Sequence, residues 1–179
     1  LSVEEQFYLV VPLVVAGVLW WRHRRARPVR RSVLVGLVAA VLVVSFALAV
    51  ALSGGALSSL VDALGVSSPV ALAFYSPFTR AWEFLAGAGL ALLAPRVARW
   101  PSGARAAMGL VGLAAVLVAA VVMGAEQGAV GAATAVPVLG TVGVLAAGIG
   151  GSTAVSTILS HRSIVLLGDV SYGWYLFHW

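Results

Sequence analysis

Residue types able to do chemistry are sparse in this 179-residue chain, and three short stretches hold the candidates. Arg80 and Glu83 stand three apart in Phe78-Thr79-Arg80-Ala81-Trp82-Glu83-Phe84-Leu85-Ala86-Gly87. On a helix, that spacing puts both side chains on one face. The surrounding run is apolar, and a charge at the centre of a membrane helix costs roughly 2.5–3.5 kcal/mol on insertion scales. The two groups are therefore expected to face the protein interior, paired or in water. Two readings stay open: a structural ion pair at a helix entrance, or groups that line a substrate cavity.

The second stretch is Ser2-Val3-Glu4-Glu5-Gln6-Phe7-Tyr8. Ser2-x-x-Glu5 matches a capping box, in which the Glu carboxylate returns to the cap N–H. That accounts for Glu5 but not for Glu4. Glu4 and Tyr8, four apart, share a helix face and can point at an acceptor. The third stretch, Leu167-Gly168-Asp169-Val170-Ser171-Tyr172-Gly173-Trp174-Tyr175-Leu176-Phe177-His178-Trp179, is dense in aromatics. An aromatic belt at a membrane interface explains this without chemistry. Tyr175 and His178 lie three apart and Ser171 one turn earlier, so all three share a face. A lone His in a membrane helix is more often a packing or hydrogen-bonding residue than a catalyst. No HExxH, GxSxG, P-loop or GxGxxG is present, so metal, P-loop nucleotide and serine-hydrolase chemistry have no motif here. Cysteine is absent, which excludes a disulfide framework and a Cys nucleophile.

Composition says what kind of scaffold must position these groups. The chain is 61% hydrophobic and 9% charged, with a mean hydropathy of +1.05. A soluble domain carries about a quarter charged residues. That excludes a globular cytosolic domain, a disordered chain and a nucleic-acid module. The net charge of +5 could point to nucleic acid, but the Arg residues cluster between apolar runs, which is a topology signal. A spanning helix needs about 20 apolar residues. Six candidates appear: Phe7–Trp21, Ser32–Leu52, Arg80–Ala94, Ala106–Met123, Ala133–Gly151 and Ile164–Trp179. The third is expected to start a few residues early, near Ser76–Pro77. A cleaved signal peptide fits the first run poorly, since its leading residues are acidic and its Arg cluster follows it. No long-period repeat is seen. The fold expected is an all-α integral membrane protein, a polytopic helical bundle of about six transmembrane helices forming one unit over residues 1–179.

Arg placement sets the orientation. Six Arg lie in Arg22–Arg31, three more are Arg96, Arg99 and Arg105, and another is Arg162. The alternate loops, Ser53–Phe74 and Gly124–Ala132, hold none. By the positive-inside rule the Arg side is cytoplasmic, which leaves Glu4, Glu5, Asp62 and Glu126 outside. Small residues at spacing four, Gly36/Ala40 and Gly143/Ala147/Gly151, mark faces along which helix backbones can approach closely.

Three segments together resemble one family. Leu1-Ser2-Val3-Glu4-Glu5-Gln6-Phe7-Tyr8-Leu9 is similar to a WSLSVEEQFYL element. Arg80-Ala81-Trp82-Glu83-Phe84-Leu85-Ala86-Gly87 is similar to an RxWEFxxG helix. Gly168–Trp179 resembles a GxxSYxxYLxHWP element that stops before its Pro. The family is the acyltransferase-3 integral membrane O-acyltransferases, which include bacterial polysaccharide O-acetyltransferases. The resemblance covers essentially the whole chain but only the middle and later part of a family domain. Since the chain starts at Leu1 and ends on Trp179 within an apolar run, it is read as a partial domain lacking its N-terminal part and C-terminal end.

The resemblance implies a multi-pass enzyme of the bacterial cytoplasmic membrane. Such an enzyme takes an acyl group, commonly acetyl, from acyl-coenzyme A as co-substrate. It delivers that group to a hydroxyl of a sugar or cell-envelope polysaccharide, with no tightly bound cofactor, no metal and no nucleic-acid partner. It implies catalytic roles for Glu4 and Glu5, which would orient an upstream family His or the acceptor. It implies cavity-lining roles for Tyr8, Arg80, Glu83, Tyr172, Tyr175 and His178. The family's early Arg and His lie upstream of the matched segments, so the 179 residues alone are expected to be inactive. The Arg22–Arg31 loop can meet coenzyme A phosphates, and anionic lipid explains it equally well. Two alternatives remain. A transporter or flippase for a lipid-linked or small polar substrate would line its path with Arg80, Glu83 and Pro77. A non-catalytic scaffold would tolerate neutral replacement of Glu4 and Arg80.

Overall fold

The structure is a computed structural model, and it describes residues 30–63, 65, 68–123 and 131–177, with the backbone alone at 172, 175 and 176. The candidate span Phe7–Trp21, most of the Arg22–Arg31 loop, and Glu126 lie outside the described residues. Every regular element among the described residues is helical. They divide into two units: one holds the described residues up to Leu92 together with 131–135, the other Leu93–Met123 and Val136–Phe177.

In the first unit, helix α1 (Arg31–Ser53) is a run of Val, Ala and Leu. β-branched residues are mediocre helix formers in water. Where water is absent, however, every backbone N–H and C=O must be satisfied within the segment, and a helix does that. Val33, Leu37, Val41, Val43 and Val44 point outward, whereas Ser45, Ala49 and Leu52 are buried. An apolar exterior over a small-residue interior is the arrangement expected of a lipid-facing helix. The helix stops in a Schellman turn: Gly55, at φ +73°, gives its N–H to the Leu52 carbonyl at 3.3 Å, and the Ala56 N–H reaches the Ala51 carbonyl at 2.9 Å.

Two short helices follow, α2 (Ser58–Ala63) and α3 (Pro69–Tyr75). Ser68 caps α3 by accepting the Ala71 N–H at 3.2 Å, and Pro69 takes the first position, where its missing N–H costs nothing. Leu52, Val61 and Ala73 form a small core with Leu48, Leu57 and Leu72, so these helices pack on the last turns of α1. A 3-10 turn, Ala132–Thr134, also lies against α1. Helix α4 (Pro77–Val97) runs antiparallel to α1: the Arg31 guanidinium donates to the Leu92 carbonyl, and Ser45 meets Phe78 and Trp82.

In the second unit, α5 (Ser102–Val122) and α6 (Ala135–Ala147) meet through glycines. A Cβ on Gly143 would lie 2.9 Å from the Met108 carbonyl oxygen, and one on Gly140 would lie 2.8 Å from that of Gly112. Arg105, buried in the first turn of α5, donates to the Ile149 and Gly151 carbonyls just past the end of α6. A cation there also suits the negative end of the α6 dipole. Helix α7 (Ala154–Leu159) opens with a capping box between Thr153 and Ser156 and buries Val155 near Gly109. Helix α8 (Arg162–Phe177) follows.

The expected spans map onto helices with shifted ends. Ser32–Leu52 is α1, Arg80–Ala94 extends to Pro77–Val97, and Ala106–Met123 begins earlier, at Ser102. Ala133–Gly151 is the 3-10 turn plus a 13-residue helix, closed early by the turn at Gly148–Gly150, where Gly150 has φ +77°. The expected loop Ser53–Phe74 contains α2 and part of α3. Among the described residues, two helices, α1 and α5, are long and apolar enough to cross a membrane. Helix α4 matches α5 in length but carries Arg80, Glu83 and Arg96, and α6 is too short for the usual 17–25 residues.

Candidate functional site

The site begins at the corner between α3 and α4. Ser76 is extended, Pro77 starts α4, and the fully buried Thr79 places its hydroxyl 2.5 Å from the Ala73 carbonyl and 2.8 Å from that of Ser76. A single hydroxyl proton is shared between these two acceptors, and it locks the first turn of α4 onto α3. From the other side, the Ser45 hydroxyl of α1 donates to the Phe78 carbonyl at 2.6 Å and accepts the Trp82 N–H at 3.0 Å. The Trp82 ring is buried edge-on against Phe46, with centroids 4.8 Å apart.

This framework carries Arg80 and Glu83. Arg80 Nε and Nη2 donate to Glu83 Oε1 and Oε2, both at 3.3 Å, a two-pronged contact between planar groups. The Arg80 guanidinium also lies 5.5 Å from the centre of the Phe74 ring, in cation–π range. The side chains are 28% and 23% exposed, so the pair is neither sealed in the core nor free on the surface. Its level along the bundle follows from Ser45. That residue sits about 12 Å inside the C-terminal end of α1 and about 21 Å from its start. The pair is therefore level with the interior of α1, not with its end. Such a group can order a polar ligand: the outer faces of guanidinium and carboxylate keep donor and acceptor capacity, while each neutralises the other.

The other expected site residues are placed less fully. Glu4, Glu5, Tyr8 and His178 lie outside the described residues. Tyr172 and Tyr175 are on the C-terminal half of α8, where the backbone alone is described. Ser171, on the same helix, donates to the Gly168 carbonyl at 2.7 Å. Of the expected constellation, the structure brings together Arg80 and Glu83. Sequence reasoning did not single out Ser45, Phe74 or Thr79. Ser45 did carry a signal, as the lone hydroxyl between Val33 and Leu52. Arg105, expected in a cytoplasmic loop, is instead a buried helix residue whose guanidinium binds backbone carbonyls.

A family model described as an acyltransferase domain matches residues 1–179, the entire chain. The chain belongs to the acyltransferase-3 family. At family level it is therefore a membrane acyltransferase, and the apolar exteriors of α1 and α5 agree with that setting. No curated protein and no solved structure matches it. Among the described residues, Arg80 and Glu83 of α4 form the one side-chain ion pair.

Proposed function

We propose that this protein moves an acyl group, acetyl in the first instance, from acyl-coenzyme A to a hydroxyl of a sugar or envelope polysaccharide. The observation that carries the reading is the family match over the whole chain. The acceptor oxygen attacks the thioester carbonyl, the carbon–sulfur bond breaks, and the hydroxyl proton ends on the coenzyme A sulfur. This needs a base for the O–H and donors for the oxyanion that develops. Glu4 and Glu5 orient the base or the acceptor, Arg80 and Glu83 order the cavity, and Tyr8, Tyr172, Tyr175 and His178 line it. The base itself is the family's early His, which the matched segments do not include.

The same reading places the protein in a bacterial cytoplasmic membrane with about six spans and its Arg-rich loops inside. The contact of Arg31 with Leu92 supports a common side for the Arg-rich loops, because it joins the Arg-bearing end of α1 to the half of α4 that leads to Arg96 and Arg99. The test uses inverted membrane vesicles bearing the intact protein, supplied with acetyl-coenzyme A labelled in the acetyl group. Alkali-labile label in a hydroxyl product, above that of vesicles lacking the protein, is expected. Label that stays on coenzyme A or appears only as free acetate contradicts the proposal.

A further inference from the structure

We propose that Ser45 is a positioning residue for the Arg80–Glu83 pair, acting from α1 through the backbone of α4. The inference rests on the pair's role in the acyl-transfer cavity.

A Ser or Thr inside a helix ordinarily bonds a carbonyl of its own preceding turn. Other helix hydroxyls in this chain do so: Ser53 donates to Val50, Thr134 to Gly131, Thr141 to Pro137 and Ser171 to Gly168. Ser45 instead reaches across to another helix and makes two bonds there, donating to the Phe78 carbonyl and accepting from the Trp82 N–H. Those two groups stand four apart and are the natural partners of one rung in the α4 ladder. Arg80 lies between them, and Glu83 follows Trp82. A hydroxyl bound to both ends of the rung fixes the rotation of that turn about the helix axis, and with it the direction of the Arg80 and Glu83 side chains.

Packing does not require the hydroxyl. Ser45 is 4% exposed, and the edge-on contact of Phe46 with Trp82 already joins the two helices. Alanine would fill the site with little change of volume and without a polar group to desolvate. Thr79 secures the same turn from α3, through Ala73 and Ser76. The turn is thus held from α1 and from α3, while the pair it carries stays partly open. Misplacement of a reacting assembly by about 1 Å can cost about a hundredfold in rate. Ser45 itself touches neither Arg80 nor Glu83 and is assigned no step of the chemistry.

The test measures transfer from labelled acetyl-coenzyme A by the intact protein in membranes, with the amount of folded protein determined in parallel. Ser45→Ala is expected to lower kcat about tenfold or more, and Ser45→Thr to stay within about threefold of the parent. In a Glu83→Gln background, Ser45→Ala is expected to add less than about twofold, because residues acting as a unit are not additive. Parental kcat in Ser45→Ala, or full multiplication of the two losses, overturns the proposal. If Ser45→Ala does not accumulate, the near-isosteric pair Ser45→Thr and Ser45→Val decides: a lower rate for the Val variant supports the role, and equal rates overturn it. The Glu83→Gln arm separates the two levels of the argument. Parental transfer in that variant removes the pair from the site and this proposal with it, whereas loss there with parental Ser45→Ala removes only the role of Ser45.

Discussion

Removing one member of the Arg80–Glu83 pair should leave the other charge stranded beside apolar helices, and the structure bounds the cost. A fully exposed ion pair contributes under about 1 kcal/mol, and breaking a buried one costs about 3–5 kcal/mol. At 28% and 23% exposure, with both contacts at 3.3 Å, this pair falls between those limits. A lone charge at mid-helix costs roughly 2.5–3.5 kcal/mol on insertion scales, and the pair is level with the interior of α1. Glu83→Ala is therefore expected to destabilise the first unit by about 2–3 kcal/mol, raising the unfolded fraction about 30-fold or more. Arg80→Ala should cost a similar amount, since it also forfeits the contact with Phe74. The double replacement Arg80→Ala with Glu83→Ala should cost less than the sum of the two singles, because no unpaired charge remains. The assay is a double-mutant cycle on the intact protein in detergent, following the monodisperse fraction after heating. Additive losses, or singles within about 0.5 kcal/mol of the parent, would show a solvated, uncoupled pair.

Gly112→Ala should destabilise the α5–α6 contact by about 1–3 kcal/mol, because the added Cβ meets the Gly140 carbonyl and the Val144 nitrogen. Gly36→Ala, where no atom lies within 4 Å, should leave thermal stability unchanged or slightly raised, and melts of the two variants compare them directly. Arg105→Met should free the Ile149 and Gly151 carbonyls and cost about 1–3 kcal/mol in the same melts; Arg105→Met at parental stability would show that the guanidinium is dispensable there. Single cysteines replacing Arg27 and Glu126, both outside the described residues, should label with an impermeant thiol reagent in intact cells at 126 and not at 27, and the opposite pattern would reverse the orientation.

Much of the fold was legible because apolar runs of 13 to 23 residues leave a helix little competition once water is excluded. The spacing of Arg80 and Glu83 foretold their pairing for the same reason: helix periodicity is a local property. Helix ends were less legible. Ser102–Val122 begins before its apolar run because Arg105 finds its partners on the α6–α7 connection, distant in sequence. The small helices α2 and α3 were read as loop, since six or seven residues give too short a period to detect and their stability comes from Leu48, Leu52 and Leu57. The glycine faces were legible in part. Gly143 and Ala147 pack at spacing four as expected, but Gly109, Gly112 and Gly140 complete the contact, and Gly36 has no neighbour. Ser45 stood out as the lone hydroxyl between Val33 and Leu52, but its partners are backbone groups of another helix, which no residue pattern encodes.

If the first turns of α4 order acyl transfer in this acyltransferase-3 protein, removing the charge of Glu83 slows the reaction. The most direct measurement compares initial rates of label transfer from acetyl-coenzyme A in inverted vesicles bearing equal amounts of folded parent and Glu83→Gln protein. Gln keeps the shape and one acceptor but loses the charge that orients Arg80. A fall of about tenfold or more in kcat is expected. An unchanged rate at equal folded protein would contradict it.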